Sequence, residues 1–159
     1  MYQLISSLTR KLLCLIALCS FTSTPAELNV AGEFRLQTRK SPFQRHYLDI
    51  STTSGAIKVY EDASHSGTKW AAETDGSDTH IRSRSFGDFK GYYLTMKADG
   101  KNLEMAKSPG EGSKWRMVTF GRITVVQNLK TARFLTVNEE GKVWTTLDVG
   151  HSGVRWYLR

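Results

Sequence analysis

The sequence predicts an all-β fold of twelve short strands in three pseudo-symmetric four-stranded repeats, and three observations carry that expectation. An aromatic-leucine pair recurs as Tyr47-Leu48, Tyr93-Leu94 and Phe134-Leu135, the leucines lying 46 and 41 residues apart. A Gly-x-basic-Trp ending recurs at Trp70, Trp115 and Trp156, spaced by 45 and 41 residues. Between the two marks each copy carries a hairpin-type dipeptide, Ser54-Gly55, Asp99-Gly100 or Glu140-Gly141, where the backbone needs a positive φ. Independent marks that share nearly one period indicate a structural unit written three times. The repeats run over about residues 33–75, 79–120 and 121–159.

Residues 1–26 read differently. Arg10 and Lys11 precede an apolar run over residues 12–18, extended by Cys19 and Phe21, and the small residues Ser23, Thr24 and Ala26 follow. This is the pattern of a secretory signal peptide cleaved after Ala26 or Ser23, and the apolar run is too short to span a bilayer comfortably. The expectation is a secreted, extracellular domain over residues 27–159, with no stable membrane insertion. Both cysteines, Cys14 and Cys19, lie in the leader. The mature chain then has no disulfide to supplement its core, and no cysteine nucleophile or thiolate metal ligand. Its net charge falls from +7 to +5, because Arg10 and Lys11 leave with the leader and no acid does. A moderately basic surface favours anionic partners without choosing among them.

Within each repeat, β-branched and aromatic residues alternate, and turn residues interrupt every few positions, so the elements are strands. The first strands are predicted at residues 34–38, 80–86 and 122–128. The second carry the aromatic-leucine pairs, and the third cover 57–60, 103–106 and 143–147. The fourth carry the tryptophans. Nine and eleven residues beyond each strand-two leucine stand Ile57 and Val59, Leu103 and Met105, and Trp144 and Thr146. Spacing by two places each pair on one strand face, the expected core face. Three four-stranded units at this length point to a β-trefoil, a six-stranded barrel closed at one end by three hairpins, rather than to a twelve-stranded sandwich, which gives no reason for a threefold repeat; closure removes the sheet edges that invite aggregation. The three repeated tryptophans then form a symmetric core layer, since large aromatics bury much area.

Over residues 33–159 the chain resembles the β-trefoil superfamily: ricin-type lectins and carbohydrate-binding modules, fibroblast growth factors, Kunitz-type soybean inhibitors and fascin-like actin bundlers. The hairpin over residues 134–143 is similar to the corresponding hairpin of fibroblast growth factors and fascins. Ricin-type repeats end in Gln-x-Trp, whereas the matching triplets here are Thr68-Lys69-Trp70, Ser113-Lys114-Trp115 and Val154-Arg155-Trp156. The sugar sites of that family therefore do not transfer by motif. Such a fold serves many kinds of partner, so function has to be argued from the site.

Two sets of side chains are candidates for binding. The first is Asp-x-x-His-Ser-Gly-x-basic-Trp, present at residues 62–70 and 148–156 but not in repeat two. A carboxylate and an imidazole in one loop can hold adjacent sugar hydroxyls, which makes Asp62, His65, Asp148 and His151 candidate glycan contacts, with Tyr60 as a stacking face. The same aspartates are also common turn formers that bond backbone amides. The second set is Lys69, Lys114 and Arg155, which alternate with the tryptophans and form either a basic ring for sulfate or phosphate groups, aided by Arg82, Arg84, Lys90 and the Arg39-Lys40 pair, or simply a solvated surface.

No Gly-x-Ser-x-Gly, His-Glu-x-x-His or phosphate loop occurs, and His46, His65, His80 and His151 show no metal-ligand spacing. The expectation is a protein without catalytic residues, metal or cofactor. The leading reading is a secreted lectin-like module that binds glycans or glycoconjugates through the loops of repeats one and three. The alternatives are a growth-factor or cytokine-like ligand of a protein receptor or sulfated polysaccharide, and an inhibitory or fascin-like interaction module. Nucleic acid is not an expected partner.

Overall fold

The computed structural model describes residues 26–27, 32–75 and 78–159. All but the final residue of the expected leader lies outside the described residues. A short strand, β1 (Ala26–Glu27), precedes the first repeat. That repeat contains β2 (Glu33–Phe34) and β3 (Leu36–Thr38), two halves of one strand broken only at Arg35, then β4 (Tyr47–Ile50), β5 (Ile57–Tyr60) and β6 (Trp70–Asp75). Repeat two contains β7 (Asp78–Ser83), β8 (Tyr93–Met96), β9 (Leu103–Ala106) and β10 (Lys114–Phe120). Repeat three contains β11 (Ile123–Asn128), β12 (Phe134–Val137), β13 (Val143–Thr146) and β14 (Trp156–Leu158).

The first and fourth strands of the repeats pair in the order β2-β6-β7-β10-β11-β14-β3. Because β2 and β3 belong to one strand, this path returns to its start and the six strands close into a barrel. Every pairing is antiparallel, and β14 meets β3 at Trp156↔Thr38, Tyr157↔Gln37 and Leu158↔Leu36. Mutual bonds between the Arg35 and Arg159 main chains, at 2.8 and 2.9 Å, continue that seam. The second and third strands form the hairpins β4-β5, β8-β9 and β12-β13. Neighbouring hairpins touch through their backbones: Val59 N donates to the Gly141 carbonyl and Thr145 N to that of Lys101. This is the β-trefoil predicted above.

The core follows from the repeated marks. Leu48, Leu94 and Leu135 are fully buried, as are Trp70 and Trp156, and Trp115 is nearly so. Each indole N–H donates to the carbonyl of its own repeat's strand-two leucine: Trp70 to Leu48 at 3.0 Å, Trp115 to Leu94 at 2.8 Å and Trp156 to Leu135 at 3.1 Å. A buried indole N–H without a partner would cost free energy, and here one threefold-repeated bond satisfies all three. The tryptophans are core, as their matching positions imply.

The hairpin glycines Gly55, Gly100 and Gly141 have φ of +71°, +67° and +77°, the conformation the turn dipeptides announce. In the middle hairpin, Asp99 accepts from Asn102 and from the backbone N–H groups of Lys101 and Asn102. These bonds, the Asn102 side chain foremost, lower its pKa to about 2.

Two expectations need correction. The first concerns repeat three, where Val143 rather than Trp144 is the counterpart of Ile57 and Leu103. Ile50 pairs with Ile57 and Met96 with Leu103, whereas Val137 pairs with Val143. The turn between β12 and β13 is one residue shorter than the other two, and a one-residue shift moves a side chain to the opposite strand face. Val143 and Thr145 are buried, while Trp144 is only partly so and matches Lys58 and Glu104. The second correction concerns the first strand of repeat two, which ends at Ser83 instead of Phe86. The Ser83 hydroxyl accepts from Ser85 N at 3.2 Å and donates to the Ser85 hydroxyl, a local turn that competes with further pairing.

Candidate functional site

The loops that lead into the tryptophans are built alike. Each makes a short 3-10 turn, at Ser66–Thr68, Glu111–Ser113 and Ser152–Val154, and each is pressed onto the strand-two backbone of its own repeat. The glycine of the Ser-Gly pair permits this approach. A Cβ on Gly67 would lie 2.2 Å from the Ile50 carbonyl oxygen, and one on Gly153 2.1 Å from that of Val137. The His-Ser-Gly portion of the motif therefore has a packing role whatever else it does.

Around that common path the repeats differ. In repeat one, His65 Nδ1 lies 2.7 Å from Oδ1 of Asp49, a fully buried residue of β4. The other carboxylate oxygen, Oδ2, is buried without a hydrogen-bond partner among the described residues. Burial raises the Asp49 pKa above the usual carboxylate value, against the opposing pull of His65 and Lys58. The exposed ring of Tyr60 packs against His65 with centroids 4.8 Å apart, and Lys58 Nζ stands 5.3 Å from the Tyr60 centroid. Asp62 is exposed, accepting from Ser64 N at 2.7 Å and from the Ser64 hydroxyl at 2.8 Å. Its pKa is lowered, chiefly by the hydroxyl bond. Each of its oxygens keeps further acceptor capacity. Tyr60, Asp62 and His65 are thus brought together on one hairpin and its following loop.

Repeat three retains the loop but not the chemistry. Asp148 Oδ1 accepts from Gly150 N at 2.8 Å, so the turn-forming role of this aspartate is seen in both copies. His151 Nδ1 accepts from Gly153 N at 3.1 Å and lies 2.8 Å from the Thr136 hydroxyl. Thr136 occupies the position of Asp49, and Thr146 that of Tyr60. The difference sets the tautomers. An ionised Asp49 makes His65 Nδ1 the donor and leaves its Nε2 to accept, whereas His151 carries its proton on Nε2. Repeat two has Gly110 in place of the histidine and Ala106 in place of the tyrosine.

Lys114 begins the fourth strand of its repeat, and Lys69 and Arg155 stand immediately before theirs, but the three do not form an even ring of free charge. Lys114 Nζ stands 3.0 Å from Asp78 and 2.6 Å from Glu111. Lys69 Nζ lies 5.8 Å from the ring centre of Phe86, and Arg155 is exposed. Sequence reasoning missed Asp49 and Lys58. The signal for Asp49 was present, since it stands one residue after the strand-two leucine where the other repeats have Thr95 and Thr136. Among the described residues no group of three or more His, Cys, Asp or Glu side chains gathers as a metal site, and no helix is long and apolar enough to cross a membrane.

No protein-family model matches the chain, and no curated protein does. Solved structures match it in fold. SeviL, solved bound to asialo-GM1 saccharide, superposes with a TM-score of 0.65 at 12% identity, over 82% of this chain and 98% of that one. The designed 3-fold symmetric protein ThreeFoil gives 0.66 at 19% identity, over 80% and 98%. The GlcNAcα1-4Gal releasing endo-β-galactosidase from Clostridium perfringens gives 0.65 at 15% identity, covering 79% of this chain but 31% of that one. The chain is a β-trefoil, and at these identities the fold is what it shares with them.

Proposed function

We propose that the protein is a carbohydrate-binding β-trefoil module, secreted and non-catalytic, whose principal site is the repeat-one cluster of Tyr60, Asp62 and His65. The observation that carries this reading is the exposed Tyr60 ring packed on a histidine that a buried Asp49 orients, an arrangement made in one repeat of three. An aromatic face can stack on a sugar ring, while the Asp62 oxygens and His65 Nε2 accept from its hydroxyls. The structural likeness to SeviL, which was solved with a saccharide bound, adds support at the level of the fold. The loop of Asp148 and His151 offers an N–H donor where repeat one offers an acceptor, and serves as a weaker second site.

The test is a glycan array of neutral oligosaccharides followed by titration calorimetry on the best ligand. Tyr60→Ala is expected to raise Kd at least tenfold, a loss of about 1.4 kcal/mol. Asp49→Thr, which installs the residue that repeat three uses, is expected to weaken binding while leaving thermal stability at pH 7 unchanged or higher. The sign follows from the raised pKa: a carboxyl whose folded pKa lies above its unfolded value weakens the fold as pH rises through it and the group ionises. Array hits that survive Tyr60→Ala with unaltered Kd would remove the site from this reading. Asp62→Ala is less informative, because that side chain also holds Ser64.

Secretion would follow cleavage of the leader. Of its two candidate positions, cleavage after Ser23 leaves both residues of β1 in place to pair with β10 at Ala26↔Thr119 and Glu27↔Val118. N-terminal sequencing of protein recovered from the medium is expected to begin at Thr24, and protein confined to the cytosol with residue 1 intact would refute the secretory reading.

A further inference from the structure

The barrel seam between repeats three and one holds a cleft of about 340 Å³ that no motif announces. Arg39, Arg45 and Arg159 line it together with Gln37, Gln44 and Tyr157, and no carboxylate side chain is among its walls. The guanidinium carbons of Arg39 and Arg159 stand 5.1 and 4.9 Å from the Tyr157 ring centre. Arg159 Nε also donates to Gln37 Oε1 at 3.1 Å, and Gln37 in turn donates to the Tyr47 hydroxyl. Two of the three cations are therefore held in place, and among the described residues none of the three has an acidic partner.

The seam between repeats one and two acts as an internal control. Arg159 corresponds to Glu73 of repeat one, and Gln37 to Arg82 of repeat two. At the seam between repeats one and two, Glu73 binds Arg82 at 2.5 Å and accepts from the Tyr93 hydroxyl, so a carboxylate cancels the charge there. At the seam between repeats three and one, an arginine takes the acid's place and the charge is left standing. Arg45 makes the same point through the backbone. Its φ is +76°, and its counterparts two residues before the aromatic-leucine pair are Gly91 at +80° and Ala132 at +56°, so the turn takes left-handed backbone in all three repeats and is filled elsewhere by the smallest residues. Nothing in the turn calls for a long cation at that position; the cleft does.

We propose that this cleft is an oxyanion site for an acidic glycan, in which Arg39, Arg45 and Arg159 hold a sulfate or carboxylate group and Gln44 meets hydroxyls of the sugar that carries it. Guanidinium forks match such oxyanions, and the carboxamide of Gln44 can both donate and accept. The volume falls within the range of small-molecule sites, larger than a lone anion needs. The three arginines line one cleft, whereas a nucleic acid strand needs a basic track along its backbone.

The experiment is titration calorimetry of the full chain with a sulfated heparin-derived disaccharide, the same disaccharide desulfated, and a single-stranded DNA of matched charge. Arg45→Gly, which adopts the residue of repeat two, is expected to raise Kd for the preferred disaccharide at least tenfold without lowering Tm. Arg84→Ala, which lowers net charge equally from outside the cleft, is expected to change Kd less than twofold. Preference for the sulfated form assigns the anion as sulfate, and preference for the desulfated form assigns the uronate carboxylate. Equal losses in both variants, absence of binding to either disaccharide, or tighter binding of the DNA would overturn the proposal. Tyr60→Ala is expected to leave this binding intact, so the outcome is separate from that of the neutral-glycan site.

Discussion

Trp156→Ala is expected to lower the free energy of unfolding by about 4 kcal/mol, with Trp70→Ala and Trp115→Ala close to it. Each truncation opens a cavity where a fully or almost fully buried indole stood and leaves the carbonyl of Leu135, Leu48 or Leu94 without its donor. The more conservative Trp→Phe changes keep most of the apolar contact and lose the bond. Their expected cost is about 1 to 3 kcal/mol, the range for a buried hydrogen bond whose partner is left unsatisfied. Denaturant midpoints measured at constant m-value would give all six differences on one scale. An alanine variant at any of the three positions that costs under about 1 kcal/mol would show that its indole is not part of the core layer.

Gly153→Ala and Gly67→Ala form the second large pair, each expected to cost about 3 kcal/mol through overpacking against backbone that cannot move aside. The added methyl would meet a strand-two carbonyl oxygen at 2.1 Å in one case and 2.2 Å in the other. Gly112 sits in the same place in repeat two with 2.7 Å to the Met96 carbonyl, so Gly112→Ala should cost less. Gly110, with open space around its missing Cβ and an extended φ of −154°, is the control, and Gly110→Ala should fall within about 0.5 kcal/mol of the parent. A ranking in which Gly110 mattered as much as Gly153 would mean that the loops do not bear on the hairpins as described.

The fold was legible because a closed barrel of three repeats needs the same large apolar groups at the same depth in each copy. Tyr47-Leu48 and its equivalents, the hairpin glycines and the tryptophans are what that requirement leaves in a sequence. The register of β13 was not legible in the same way. Counting forward from Leu135 assumes equal turns, and the turn after Val137 is one residue shorter, so Trp144 moves off the core face while Val143 takes the position. Of the candidate site, the motif residues Asp62 and His65 and the neighbouring Tyr60 could be read because they lie close in sequence. Asp49 could have been read by aligning strand two across the repeats, where it replaces threonine. The arginine cleft could not, because Arg39, Arg45 and Arg159 come from opposite ends of the domain and meet only when β14 docks on β3.

That docking joins strands Leu36–Thr38 and Trp156–Leu158, which are separated by well over a hundred residues. During synthesis on the ribosome, the first repeat must therefore wait for nearly all the others before its outer edge is covered. Pairings between such distant segments are slow to form, and an uncovered strand invites association with other chains in the meantime. The nascent polypeptide is accordingly expected to engage holding chaperones until its final strand emerges.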